Sequence, residues 1–190
     1  MKSIYNLQQM PAGGTVSSDD IVELHAARLL LLILLCGTKD QKTQLPRIDG
    51  LTKLAKLDFF VRYPSFFERV AAQLNKPIPP VNKTLESKMV RYHYGPWDNR
   101  YYQLLPYLEA RSLIEIKKDL KINQYRFTLT EKGKEIAAAL SETKEFEALN
   151  DNMQEVKKVL GAKSGNQLKT LVYNVFEKEV ADRKLGETIS

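Results

Sequence analysis

Eight apolar residues, Leu29 to Cys36, follow Arg28 and are closed by Gly37. Ser17 to Asp20 stand ahead of them as capping candidates with acidic first-turn charge, so the pattern predicts a buried helix over 21–36. The run is too short to span a bilayer, which takes about 20 apolar residues. Residues 38–49, polar and holding Pro46, read as a loop. Leu51, Leu54, Leu57 and Val61 then recur at helical spacing, with Lys53 and Lys56 on the other side. Pro64 ends that helix and Ser65 opens the next, to about Leu74. Three prolines within Asn75–Thr84 mark a connector.

Lys88–Tyr94 is β-branched and aromatic enough to predict an extended segment. Gly95–Asp98 reads as a turn, with Asp98 capping a helix over 99–111. Ile114 and Ile116 alternate with Glu115 and Lys117, and Tyr125, Phe127 and Leu129 alternate with Arg126 and Thr128. With polar 118–123 between them, these runs predict a β-hairpin, and a helix follows from Thr130 to Leu140. Helix, helix, helix, strand, helix, hairpin, helix is the order of a winged-helix domain, the hairpin being the wing. In the tail, Phe146, Leu149, Met153, Val156 and Leu160 form a heptad-like stripe ended by Gly161. Ser164 caps a second helix carrying Leu168, Leu171, Val172, Val175 and Phe176 on one face. The expected class is mainly α with a small β-wing (α+β): a flexible N-terminus over 1–20, a winged-helix domain over 21–141, and an amphipathic helical hairpin over 142–190. That hairpin either packs back on the core or offers Leu168, Val172 and Phe176 to a partner.

Composition narrows the chemistry. The 190 residues are 43% hydrophobic and 27% charged, an ordinary globular balance. One Cys excludes an internal disulfide and a four-thiolate metal site, and His25 and His93 are too distant in sequence to form a local ligand pair. No metal and no cofactor is expected. The charged, polar segment ahead of the apolar run is unlike a signal peptide, which predicts a cytoplasmic protein. The net charge of +6 is distributed as +3 over 1–81, +4 over 82–126, 0 over 127–140 and −1 over 141–190. An excess this small permits phosphate contact without demanding it.

Motifs for nucleotide binding, zinc proteolysis and serine hydrolysis are absent. Cys36 and His25 are eleven residues apart on one helix, ~16 Å at 1.5 Å per residue, too far for a thiolate–imidazole pair. Glu109 with Glu115–Lys117 faintly resembles the acidic-x-Lys strand of restriction-type nucleases, but no second strand carboxylate accompanies it. Two basic sets are candidate phosphate contacts: Lys53, Lys56 and Arg62 on one helix, and Lys117, Lys118 and Lys121 at the wing. The helix in the recognition position offers Asn99, Arg100 and Gln103, yet Pro106 falls inside it and Tyr101, Tyr102, Tyr107 and Glu109 crowd it. Such a helix suits protein contact better than a major groove. In Tyr92–Tyr102, Trp97 is expected inside, with Arg100 and Tyr101 outside as an interface hot spot.

Gly50–Val70 (GLTKLAKLDFFVRYPSFFERV), Ser87–Ile114, Leu129–Ala137 (LTEKGKEIA) and Ser164–Phe176 (SGNQLKTLVYNVF) together resemble the small middle component of bacterial ABC-three-component systems. That family includes the small C subunit of Lamassu-type antiviral defence. The likeness covers roughly residues 21–186 in order and spacing. The K-L-x-K-L-x-F-F and Y-G-P-W strings also resemble antitoxin-like domains, which keeps a second family open. The first resemblance implies a non-catalytic subunit that sits on an SMC-like coiled-coil ABC ATPase sensing foreign DNA, and helps hold or release an effector, often a nuclease. It carries over Lys53, Lys56, Arg62, Arg91, Tyr94, Gly95, Pro96, Trp97, Asp98 and Arg100 as scaffold or interface. The alternative is a stand-alone winged-helix regulator or antitoxin on an operator.

Overall fold

The structure, a computed structural model, describes residues 21–79, 89–92, 95–176 and 188–189. It is a mixed α+β fold built on two helices that are buried almost all round. The first, α1 (Val22–Cys36), buries His25, Ala26, Arg28, the run Leu29 to Ile33, and Cys36. The second, α2 (Leu51–Arg62), buries every residue from Leu54 to Arg62. Burial on all sides explains why neither has a marked polar stripe. Pro64 sits at the first turn of α3 (Pro64–Gln73), where its missing N–H costs nothing.

A four-stranded antiparallel sheet covers one side of this helical core. Its strands are β1 (Thr38–Lys39), β2 (Pro46–Asp49), β5 (Ile114–Asp119) and β6 (Gln124–Leu129), in the order β1-β2-β6-β5. Ile48 lies opposite Phe127 and Ile116 lies opposite Phe127 on the other flank, so the inward positions of three strands meet at one aromatic ring. A smaller antiparallel sheet joins β3 (Met89–Tyr92), β4 (Gly95–Trp97) and β7 (Thr188–Ile189) in the order β4-β3-β7. The Tyr63 hydroxyl accepts the Met89 N–H at 2.7 Å and so pins β3 to the α2–α3 junction.

The remaining helices close the core: α4 (Tyr101–Ala110), α5 (Glu131–Ser141), α6 (Glu147–Leu160), preceded by a 3-10 turn, and α7 (Gly165–Val175). Thr130 accepts the Gly133 N–H at 2.9 Å as the cap of α5. Ser164 and Gln167 form a reciprocal capping box on α7. Met153, Val156, Leu160, Leu168, Val172 and Phe176 are all fully buried in the same core as α1 and α2. Phe176 lies 4.7 Å from Phe66 and 6.5 Å from Phe59, ring centre to ring centre.

Two local expectations change. Residues 38–49 hold two short strands instead of a plain loop, because β2 has a partner in β6 that no local pattern announces. Gly95–Trp97 is strand paired with β3, not a turn. The helix α4 runs unbroken through Pro106, which lies on its exposed side. The expected flexible stretch 1–20 and the cap candidates Ser17–Asp20 lie outside the described residues. Among the described residues no helix is long and apolar enough to cross a membrane.

Candidate functional site

The most unusual chemistry in the core is a network of buried charges where α1, α2 and the start of α4 converge. His25 and Arg28 are one turn apart on α1, Asp58 and Arg62 one turn apart on α2, and Asp98, Arg100 and Tyr101 span the β4–α4 junction. Arg28 Nε donates to Asp58 Oδ1 at 2.8 Å, with a second, longer contact from its terminal nitrogen to Oδ2 at 3.4 Å. Tyr101 donates its hydroxyl to Asp58 Oδ2 at 2.6 Å. Arg62 donates to Asp98 Oδ2 at 2.9 Å and stands 3.5 Å from Asp58. Arg100 reaches both Asp98 oxygens, at 2.9 Å through Nε and 2.7 Å through a terminal nitrogen, while its backbone N–H donates to Oδ1 at 3.0 Å. His25 fills the remaining gap, one ring nitrogen 2.8 Å from Arg28 and the other 2.5 Å from Arg100.

Paired and hydrogen-bonded, these charges tolerate burial that would expel any one of them alone. Burial by itself would raise the Asp98 carboxyl, but the Arg100 hydrogen bonds and the Arg62 charge outweigh it and hold the pKa near about 2. Burial likewise works against the Arg62 charge, and the carboxylates of Asp58 and Asp98 more than offset it, so its pKa rises. The Tyr101 hydroxyl is pushed well up, by burial first and by Asp58 next. The network therefore works as a clasp. It holds the N-terminal end of α4 against both central helices and exposes no reactive group.

Lys56 is a further buried cation, set apart from the clasp. Its Nζ donates to the Pro96 carbonyl of β4 at 2.9 Å. Burial, with a smaller push from Lys169, brings its pKa down to about 7. Lys53 is half-buried and donates to the Gly161 carbonyl at 2.8 Å, and Lys157 donates to the carbonyls of Cys36 and Gly37 at the end of α1. Both lysines neutralise the carbonyl ends of helices.

These positions correct several expectations. Lys56 and Arg62 cannot meet phosphate, because α2 is buried from Leu54 to Arg62, with α1, α3, α6, α7 and the two sheets packed around it. Tyr101 is fully buried rather than outside, since its hydroxyl completes the coordination of Asp58. Asp98 is interior as well, and Trp97 is interior as expected. Leu168, Val172 and Phe176 are core residues facing α2 and α3, so they offer no surface to a partner. Arg100 is the member of the expected hot spot that keeps some exposure, 26% of its side chain. Arg91 lies on β3, and Tyr94 lies outside the described residues. Of the six expected phosphate contacts, Lys117, Lys118 and Lys121 on the β5–β6 hairpin are exposed.

Arg28, Asp58 and His25 were not singled out as site residues by sequence reasoning. The available signal was a charged residue beside apolar ones: Arg28 sits mid-helix directly before the run Leu29 to Cys36, and Asp58 sits between Leu57 and Phe59. Cys36 is sealed in the core, its thiol 3.3 Å from the Met153 carbonyl. Burial pushes it up to about 12 against the opposing charge of Lys157, so it is no nucleophile. Glu115 pairs with Lys117 at 2.8 Å on the open face of the sheet, and Glu109 accepts the Ile116 N–H at 3.1 Å, so the acidic-x-Lys string is spent on structure. Among the described residues no group of three or more acidic, His or Cys side chains could hold a metal ion. Set against family models, curated proteins and solved structures, the chain matches none.

Proposed function

We propose that this chain is a non-catalytic winged-helix subunit of a bacterial defence complex, acting in the cytoplasm. It would bind an SMC-like coiled-coil ABC ATPase and help hold or release that complex's effector nuclease when foreign DNA is sensed. The winged-helix reading is supported by the sequence of elements α1, β2, α2, α4, β5, β6, with β2 paired to the second hairpin strand, and with α3 and the β3–β4 hairpin inserted before α4. The identity of the partners comes from the family resemblance.

One observation carries the preference for protein over operator DNA. The exposed face of α4, the helix in the recognition position, presents Tyr102, Gln103, Pro106 and Glu109 and not a single basic residue. A groove-reading helix meets phosphates on both flanks and needs cations there. Of the two cations at its ends, Arg100 is held by Asp98 and His25, and Arg111 lies 4.4 Å over the Tyr107 ring. The second reading, a stand-alone winged-helix regulator or antitoxin, is favoured only by the exposed hairpin lysines.

The test is affinity capture of the tagged chain co-expressed with its neighbouring genes, with mass spectrometry of what is retained. Recovery of a large coiled-coil ATPase is the expected result. A partner-free homodimer that shifts its own upstream DNA would replace this reading with the regulator.

A further inference from the structure

The tip of the β5–β6 hairpin combines features that the fold itself does not use. Along its inner face the ribbon runs from Phe127, 2% exposed, to Tyr125, 45% exposed, whose rings stack at 6.5 Å. At the turn beyond them Leu120 is 83% exposed and Ile122 64% exposed. These are the two most exposed large apolar side chains among the described residues. Lys117, Lys118 and Lys121 flank them, against Asp119 as the only acidic residue from 116 to 126. Lys117 is paired with Glu115, whereas Lys118 lies 5.5 Å above the Tyr125 ring and has no carboxylate partner among the described residues.

We infer that this tip is a docking surface for an acidic segment of a partner protein that also presents apolar side chains. The inference rests on the protein-binding reading above and deepens it by naming the contact and its chemistry. Apolar side chains at a ribbon tip gain nothing from water, and their removal from it is what drives association. Lysines on either side select the charge of the partner and steer its approach. The same lysines could meet phosphate, but Leu120 and Ile122 would then face a hydrated, charged backbone and stay unburied. A protein segment with carboxylates beside an apolar stripe satisfies both halves of the surface at once.

The test uses the full chain, tagged and co-expressed with its neighbouring genes, as wild type, as L120D/I122D and as K118E/K121E. All four positions are exposed, so the variants should unfold at the wild-type temperature, which thermal denaturation checks. Nuclease-treated wild-type captures should retain the partner. L120D/I122D should reduce it by at least about tenfold, and K118E/K121E should weaken it most at low salt. A photo-crosslinking residue at position 120 should label a partner peptide rich in Asp or Glu beside apolar residues. Equal capture by both variants overturns the docking surface and leaves the subunit reading standing. So does a crosslink to nucleic acid, or loss of phosphatidylserine-vesicle binding by L120D/I122D with the partner retained. A wild-type chain that captures nothing overturns both.

Discussion

Tyr101 shows how one hydroxyl turns an expected surface residue into a structural one. Its donation to Asp58 supplies a buried carboxylate that already receives Arg28. Tyr101→Phe keeps the ring and removes the donor, so it should cost about 1–3 kcal/mol, read as a lower urea midpoint at unchanged slope. Asp98 adds a pH signature. An unfolded aspartate titrates near about 4, whereas Asp98 in the fold is held near about 2. Its stabilising contribution is present above pH ~4 and is lost as pH falls from there through 2. Asp98→Asn should be less stable at pH 7 and should flatten that acid limb of the stability curve. Lys56 has a dependence of the same sign in a higher window, because its pKa is lowered too, by burial. The unfolded amine holds its proton to about pH 10, the buried one only to about 7. Between those values the unfolded state binds more protons, so stability should rise with pH from 7 to 10. Lys56→Met should remove that rise and leave the protein as stable or more so at pH 7, measured by chemical denaturation across the range.

At the scale of elements, local signals and packing sometimes compete, and α5 shows which wins. Gly133 lies in the first turn of α5, where Ala would ordinarily be better by about 1 kcal/mol on helix propensity. A Cβ there would fall inside the Leu113 carbonyl, backbone that cannot swing aside. Gly133→Ala should therefore lower the melting temperature, overriding propensity with an overpacking cost of roughly 1–3 kcal/mol. An unchanged or raised melting temperature would mean that α5 docks less closely. The elements with strong local signatures were readable in advance. The hairpin showed in its alternation, α5 in Thr130, α7 in its cap Ser164, and the break between α2 and α3 in Pro64. The strands β2 and β4 were not, because a three- or four-residue strand is defined by its partner across the sheet and not by its own composition.

For the whole molecule, the question is whether the C-terminal helices are an appendage or part of the body. Met153 beside Cys36, and Phe176 among Phe59, Phe60 and Phe66, put α6 and α7 inside the core. A chain ending at Ser141 would leave that apolar surface bare. It should lose cooperative thermal unfolding and bind a hydrophobic dye, while the full chain should melt cooperatively and leave the dye unbound. A truncated chain that melts cooperatively with native aromatic circular dichroism would make the tail a separate unit. Periodicity in the tail settled that two amphipathic helices exist and which of their faces is apolar. It left open whether the chain's own core or another protein covers that face, because a stripe records only that it is covered. The same limit applies to charge. Lys56, Arg62 and Tyr101 read as surface groups, since in most helices a polar side chain marks the solvent side. Here α2 is buried from Leu54 to Arg62, and only the convergence of α1, α2 and α4 brought Arg28, Asp58, Arg62, Asp98 and Arg100 close enough to pair. The helices, their caps, the β5–β6 hairpin and the α+β class are written in short-range pattern, while β2 and β4 are not. Which charges are buried, and which apolar residues remain outside at the β5–β6 tip, depends on contacts between segments distant in sequence.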